Sequence, residues 1–195
     1  ATAAFVETPP TIDAAVTRAE WPGTELTLQE DPSGTPLSGK PCSAQLANDG
    51  KSLFVRLTVP IASREGIALG SEWRVSDGAE VCIRGRTSQG AAVTWVLHGF
   101  ADGTLEGSTE AGAPEAAAKA LAGVCTFRAA MGDAEWQALW EVPLEALGVA
   151  PGQKDIPFNL GVFRSKPGEW INWVGTQGPT WKLENAGLLT VEKAG

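Results

Sequence analysis

The sequence predicts an all-β protein: an antiparallel β-sandwich of roughly nine strands with one or two short helical turns, in a single domain over residues 1–195. Three observations carry this. Apolar residues recur at every second position in short runs, the period of a strand. The 23 glycines and 13 prolines fall between those runs at frequent intervals, where they punctuate turns. Only PEAAAKALAG reads as more than a single helical turn.

Along the chain, Asn48-Asp49-Gly50 forms the turn before SLFVRLTVP, in which Leu53, Val55, Leu57 and Val59 point one way while Phe54, Arg56 and Thr58 point the other. AEVCIRG follows with Val81 and Ile83 in register, then AAVTWVLHGF with Val93, Trp95 and Leu97 on one face. In PEAAAKALAG, Pro114 suits the first helical turn and Gly123 the left-handed terminating position. GVCTFRAAM and EWQALWEVP flank Gly132-Asp133-Ala134 as a hairpin, with Trp136, Ala138, Trp140 and Val142 in alternation. PLEALG reads as a short turn of helix, and IPFNLGVF, EWINWVG and GLLTVEK as the closing strands.

Composition narrows the function. Apolar residues at 43% and charged residues at 19% suit a globular domain with a sizeable core. A net charge of −8 without a Lys/Arg cluster removes the phosphate attraction that dominates nucleic-acid binding, so nucleic acid is not an expected partner. Every apolar run falls well short of the ~20 residues that span a bilayer. No membrane-spanning segment is expected. The start ATAAFVETPP, without a Met or a charged leader, suits a processed product or an excised piece. Cys42, Cys82 and Cys125 show no ligand spacing for zinc; they read either as one disulfide plus a free thiol or as three small core residues.

Catalytic signatures are sparse. His98 is the single histidine, so any nucleophilic triad needs it, and no nucleophile elbow accompanies it. It reads better as a structural or solvent-facing residue. His98 and Met131 are candidate axial ligands for haem, without a spacing signature. Asp77 with Glu80, or Glu141 with Glu145, are the acid pairs a glycosidase would need. No Gly-rich phosphate loop opens a helix.

The eight tryptophans, in a chain without tyrosine, divide by setting. Trp95, Trp136 and Trp140 lie on apolar strand faces and read as core, and Trp21 as a packing residue near the first strand. Of Trp170 and Trp173, one faces outward. Trp73 and Trp181 differ, because each lies in a polar, turn-rich segment just ahead of a strand. A flat indole there suits either stacking on the C–H face of a pyranose ring or folding back as a lid over the core.

The order of these segments resembles that of the family 9 carbohydrate-binding modules. PTIDAAVTRAEW is similar to the family's entry motif and NDGKSLFVRLTV to its first clear strand. WRVSDGAEVCIRG is similar to its Trp-then-acid strand, with one extra residue between Trp73 and Glu80. WEVPLEALG resembles its strand-Pro-helix unit, and FNLGVFR, WINWVG and WKLENAGLLTV its closing portion. The resemblance implies a non-catalytic module that stacks one sugar ring of a glycan between two tryptophans, here Trp73 and Trp181, with Glu80 bonding a hydroxyl. Gln177 and Asn185, near the second tryptophan, are further polar candidates. It implies secretion or cell-surface display, an attached catalytic domain as partner, and no required cofactor. A structural calcium ion would draw on Asp13, Asp77 or Asp133. The alternative is a β-sandwich that serves a structural or protein-interaction role in a cell-surface or multidomain protein.

Overall fold

A computed structural model of the protein describes residues 1–16, 21 and 23–195. Residues 17–20, within the segment PTIDAAVTRAEW, and Pro22 lie outside the described residues.

The described elements run β1 (Thr2–Phe5), β2 (Leu26–Leu28), β3 (Cys42–Asn48), β4 (Ser52–Pro60), β5 (Gly78–Arg86), β6 (Ala92–Phe100), β7 (Leu105–Gly107), α1 (Glu115–Val124), β8 (Thr126–Met131), β9 (Glu135–Pro143), α2 (Leu144–Leu147), β10 (Ile156–Arg164), β11 (Glu169–Asn172) and β12 (Gly187–Val191). The all-β sandwich expected from sequence is the observed fold. Its twelve described strands exceed the roughly nine expected because β1, β2 and β7, of 4, 3 and 3 residues, are too short to display a period of two.

Five strands run β7-β6-β5-β10-β12 with β11 also on β10, and four run β3-β4-β9-β8 with β2 also on β3. β1 joins the two layers into one nearly continuous sheet. Its first half pairs with β12 (Thr2↔Thr190, Ala3↔Val191) and its second half with β3 (Ala4↔Ala47, Phe5↔Asn48). Both pairings are parallel, unlike the antiparallel remainder.

The main core lies between the layers and follows the predicted alternation: Leu53, Val55, Leu57 and Val59 meet Val81, Ile83, Trp95, Leu97 and the β10 residues Phe158, Leu160 and Val162. Trp136 and Trp140 are both 0% exposed. Burial of each contributes up to about 5 kcal/mol of transfer free energy. The other face of β4 is also covered. Phe54, Ala47, Leu139 and Ala130 form a second cluster with Trp21, against which Val6, Ile12 and Val16 pack. Arg56 is buried there with its guanidinium 5.0 Å over the Trp21 ring and its Nε donating to Gln45 Oε1 at 2.9 Å.

Two helix expectations shift. Pro114 is the capping residue before α1 rather than part of its first turn, and Gly123 lies inside the helix, which ends at Val124 with Cys125 extended (φ −81). The left-handed terminator occurs instead at Gly148 after α2 (φ 67), where a Cβ would lie 2.6 Å from Arg86 O. All three cysteines are free thiols; Cys42 and Cys82 are buried, and Cys125 is half-buried against the core. Burial pushes the Cys42 and Cys125 thiols up to about 12.

Candidate functional site

The outer face of the β7-β6-β5-β10-β11 layer, away from the core, is built in three cross-strand rows. Strand pairing brings Phe100, Gly78, Phe163 and Trp170 into one row. The next row, two residues along each strand, is Glu106, His98, Glu80, Gly161 and Asn172. The third contains Val96, Cys82 and Asn159. Neighbouring rows on one face are about 6.7 Å apart, the span of two strand residues. A polar row therefore runs between an aromatic one and an apolar one.

Trp73 roots in the aromatic row. A Cβ on Gly78 would lie 2.9 Å from Trp73 Cζ3, so glycine there is what lets the indole lie across the strand. The ring meets Phe100 (6.0 Å, 80°) and Trp170 (5.5 Å, 74°) at their edges and stacks on His98 at 3.8 Å and 13°. The turn that carries it closes by Val75 N donating to Glu72 O (3.1 Å) and Ser76 N to the same oxygen (2.9 Å).

Trp181 roots in the apolar row, packed on Cys82, Val96 and Leu183. It arrives there because β10 shares one edge between two short strands: β12 pairs with residues 156–158 and β11 with residues 161–164. The connection between β11 and β12 therefore leaves the sheet at the middle of β10 and loops over its outer face. Asn159, buried in that gap, replaces the missing ladder. Its Nδ2 donates to Val174 O (2.9 Å) and Thr180 O (3.1 Å), and its Oδ1 accepts from Val174 N (3.2 Å). Thr180 Oγ1 donates to Asn172 Oδ1 at 3.0 Å, and Glu30 Oε2 accepts from Gly175 N at 2.7 Å. Gly161 has no side chain beneath this loop; a Cβ would lie 2.8 Å from Thr180 Oγ1 and 3.0 Å from Glu80 Oε1. Asn159 Oδ1 also accepts from Leu160 N at 3.0 Å, so Asn159→Leu strands four backbone groups, and a loss of about 2–4 kcal/mol in stability is expected by chemical denaturation. Affinity at the site should fall with it, although Asn159 does not line the cleft.

A cleft of ≈ 250 Å³ is lined by Trp73, Trp181, Trp170, Glu80, Glu110 and Arg74, with the 178–180 turn at its edge. Glu80 is 2% exposed and His98 1%. His98 Nδ1 lies 2.8 Å from Glu106 Oε1, and its Nε2 lies 3.5 Å from Glu80 Oε2 and 4.0 Å from Glu110 Oε2. Arg74 donates to Glu110 Oε1 at 2.9 Å. Burial alone would lower the His98 pKa, but the hydrogen bonds and charges of Glu106 and Glu80 outweigh it and hold the imidazole above its ordinary value. Arg74 (φ 69) and Gln177 (φ 61), one beside each tryptophan segment, are two of three non-glycine residues with left-handed backbone among those described.

Of the residues singled out from sequence, Trp73, Trp181 and Glu80 come together on this cleft. Gln177 and Asn185 do not line it. The Gln177 side-chain amide donates to Ser33 O and its backbone N–H to Pro32 O (2.8 Å), while Asn185 Nδ2 donates to Thr176 O at 2.9 Å. Both amides brace the loop that carries Trp181. Trp170 is the outward member of its pair, and Trp173 packs on Phe158 (6.1 Å, 55°). His98, Glu110 and Arg74 were not marked as site residues. The phase of His98 opposite Trp95 was readable, but its pairing with Glu80 was not.

The two candidate haem ligands are not brought together. His98 lies on the outer face of one layer, whereas Met131 ends β8 in the other, opposite Trp136, so no common iron could take both. Asp77 accepts from Ala68 N (2.7 Å) and Ser165 Oγ (3.1 Å), away from Glu80, and Glu141 takes the Ser52 hydroxyl at 3.3 Å. Among the described residues, no group of three or more His, Cys, Asp or Glu side chains is arranged to hold a metal ion. No described helix is long and apolar enough to cross a membrane.

No protein-family model and no curated protein matches the chain. Solved structures share its fold. A family 9 carbohydrate-binding module from Caldicellulosiruptor kristjanssonii in complex with cellotriose matches with a TM-score of 0.67 at 12% identity, covering 100% of this chain and 95% of that one. The same organism's family 9 module in complex with glucose gives a TM-score of 0.65 at 12% identity, covering 100% and 96%. A putative carbohydrate-binding protein from Bacteroides uniformis gives 0.60 at 13% identity, covering 87% and 86%.

Proposed function

We propose that this chain, which has the fold of the family 9 carbohydrate-binding modules, is a non-catalytic module that binds one sugar ring of a glycan in the cleft between Trp73 and Trp181. The observation that carries the reading is the convergence of these two loop tryptophans, from segments more than a hundred residues apart in sequence, on one cleft with a buried carboxylate at its floor. Indole faces take the apolar C–H face of a pyranose. Glu80 accepts from a hydroxyl, and Arg74, Glu110 and the 178–180 turn supply further polar contacts. Gln177 and Asn185 act through the loop rather than on the sugar.

The solved complexes with cellotriose and glucose support a glycan as the ligand class. Stacking on one or two rings offsets the cost of association only modestly, so the expected free energy is about −4 to −8 kcal/mol, millimolar to micromolar. The mechanism uses no cofactor, and an added chelator should leave binding unchanged. Such a module works outside the cytoplasm, attached to or secreted with a polysaccharide-active protein.

Isothermal titration and intrinsic tryptophan fluorescence with cellotriose and a panel of soluble glycans test this. A saturable heat accompanied by an emission change is expected for at least one glycan. A silent panel overturns the reading in favour of a structural or protein-interaction domain.

A further inference from the structure

The two oxygens of Glu80 have different surroundings. Oε2 faces His98 Nε2 at 3.5 Å and Cys82 Sγ at 3.8 Å, whereas among the described residues no donor reaches Oε1. Oε1 lies instead against Gly161, its neighbour in the polar row, where a Cβ would sit 3.0 Å from Glu80 Oε1 and 2.8 Å from Thr180 Oγ1. One oxygen from β5 and one from the Trp181 loop therefore flank a single glycine, and both residues line the cleft.

Thr180 is 2% exposed, and its one hydroxyl proton is committed: Oγ1 donates to Asn172 Oδ1 at 3.0 Å. An amide oxygen only accepts, so this bond leaves the hydroxyl with lone pairs and no proton to offer. Among the described residues no donor meets those lone pairs. Asn172 is wholly buried, its backbone N–H and C=O are taken by Glu30 at 2.7 and 3.2 Å, and its Nδ2 has no hydrogen-bond partner. A buried amide with an unmet donor costs stability that an apolar side chain of similar size would not. What Asn172 does supply is the acceptor that sets the direction of the Thr180 hydroxyl.

Resting on the reading of this cleft as a sugar site, we propose that Thr180 is a ligand-binding residue held as an acceptor by Asn172. The cleft then selects a ring that donates from two hydroxyls, one to Glu80 Oε1 and one to Thr180 Oγ1. The two acceptors lie within 3.0 Å of the same point above Gly161, so hydroxyls on adjacent carbons of one ring reach both. A ring with an ether or a fluorine at either position sets lone pair against lone pair and is rejected. Asn172 does not touch the sugar; it is a positioning residue that acts through Thr180.

The test titrates the parent, Thr180→Val and Thr180→Ser with glucose and its monodeoxy and monofluoro analogues, and with every glycan of the panel that the parent binds. At two adjacent ring positions, the deoxy and the fluoro analogue should both bind more weakly than glucose. The loss is about five-fold at the position facing Thr180, the worth of one neutral hydrogen bond, and larger at the one facing the Glu80 carboxylate. Thr180→Val should weaken glucose and the bound glycans by about five-fold and abolish the penalty at one of the two positions while keeping the other, a coupling that a merely structural hydroxyl would not produce. Thr180→Ser should restore both. Folding is checked by the unfolding midpoint, and if Thr180→Val does not fold, the analogue series on the parent decides. Fluoro analogues that bind as tightly as glucose, parental affinity in Thr180→Val, or two penalties that persist in it each overturn the assignment of Thr180 and leave the glycan-binding reading standing. Silence of glucose, cellotriose and the whole panel with the parent overturns both.

Discussion

Trp181→Ala is expected to reduce glycan affinity by at least roughly thirty-fold, about 2 kcal/mol, the loss typical when a central aromatic anchor is truncated. From a starting affinity in the millimolar to micromolar range, that removes binding from the reach of titration calorimetry. The variant is informative because the Trp181 indole is only half-buried and lies on the outer face of the sheet, over Cys82, Val96 and Leu183. It leaves untouched the core where Trp136 and Trp140 pack. An unfolding midpoint close to that of the parent should therefore accompany the lost affinity. Trp73→Ala should also lose binding, but less cleanly, because Trp73 covers His98 and its removal opens the imidazole and its carboxylates to water. If Trp181→Ala folds and still binds with parental affinity, the indole is a lid over its apolar row and not a wall of a sugar slot.

His98→Ala should destabilise the fold by about 3 kcal/mol, since it leaves Glu80, 2% exposed, without the cation beside it and removes the support beneath Trp73. Packing and charge can be separated. His98→Phe keeps an aromatic face under Trp73 while discarding the cation, so it should recover part of the packing loss and none of the pH dependence. That dependence has a definite sign. The folded-state pKa of His98 is raised, so the imidazolium contributes stability that is fully present below the unfolded value of 6.5 and is lost as pH climbs through the higher folded value. Denaturation midpoints of the parent should fall across that window, with a smaller change in either His98 variant. A parental midpoint that is flat or rising from mildly acidic to mildly alkaline pH would show that the carboxylates do not hold His98 in its charged form.

The amino-acid pattern carried the layers of this protein further than it carried the site. Alternation in SLFVRLTVP, AAVTWVLHGF and EWQALWEVP placed Leu53, Val55, Trp95, Trp136 and Trp140 on the faces that the structure buries. Strand periodicity is a local property, enforced by burial at every second residue, and a single sequence displays it. It also singled out Trp73 and Trp181, since an indole in a polar, turn-rich segment lacks a local apolar face to join. The same local logic put Phe54 and Arg56 on the second face of β4 without showing what covers it. They are covered by a distant segment, Trp21 with Val6, Ile12 and Val16, which no periodicity links to them.

What the sequence determined alone is therefore the class of fold, the composition of the core faces and the two tryptophans that had no place in it. Tertiary structure alone decided what stands between those tryptophans. His98 reaches Glu80 and Glu106 only because β5, β6 and β7 pair in a register that sets the three in one row. Trp181 reaches the neighbouring apolar row only because β10 gives half of one edge to β11 and half to β12 and so forces their connection out over the sheet. Register and edge-sharing are relations between strands distant in sequence. They follow from packing of the whole chain, so the residues that line the cleft beside the two tryptophans were beyond the reach of any local pattern.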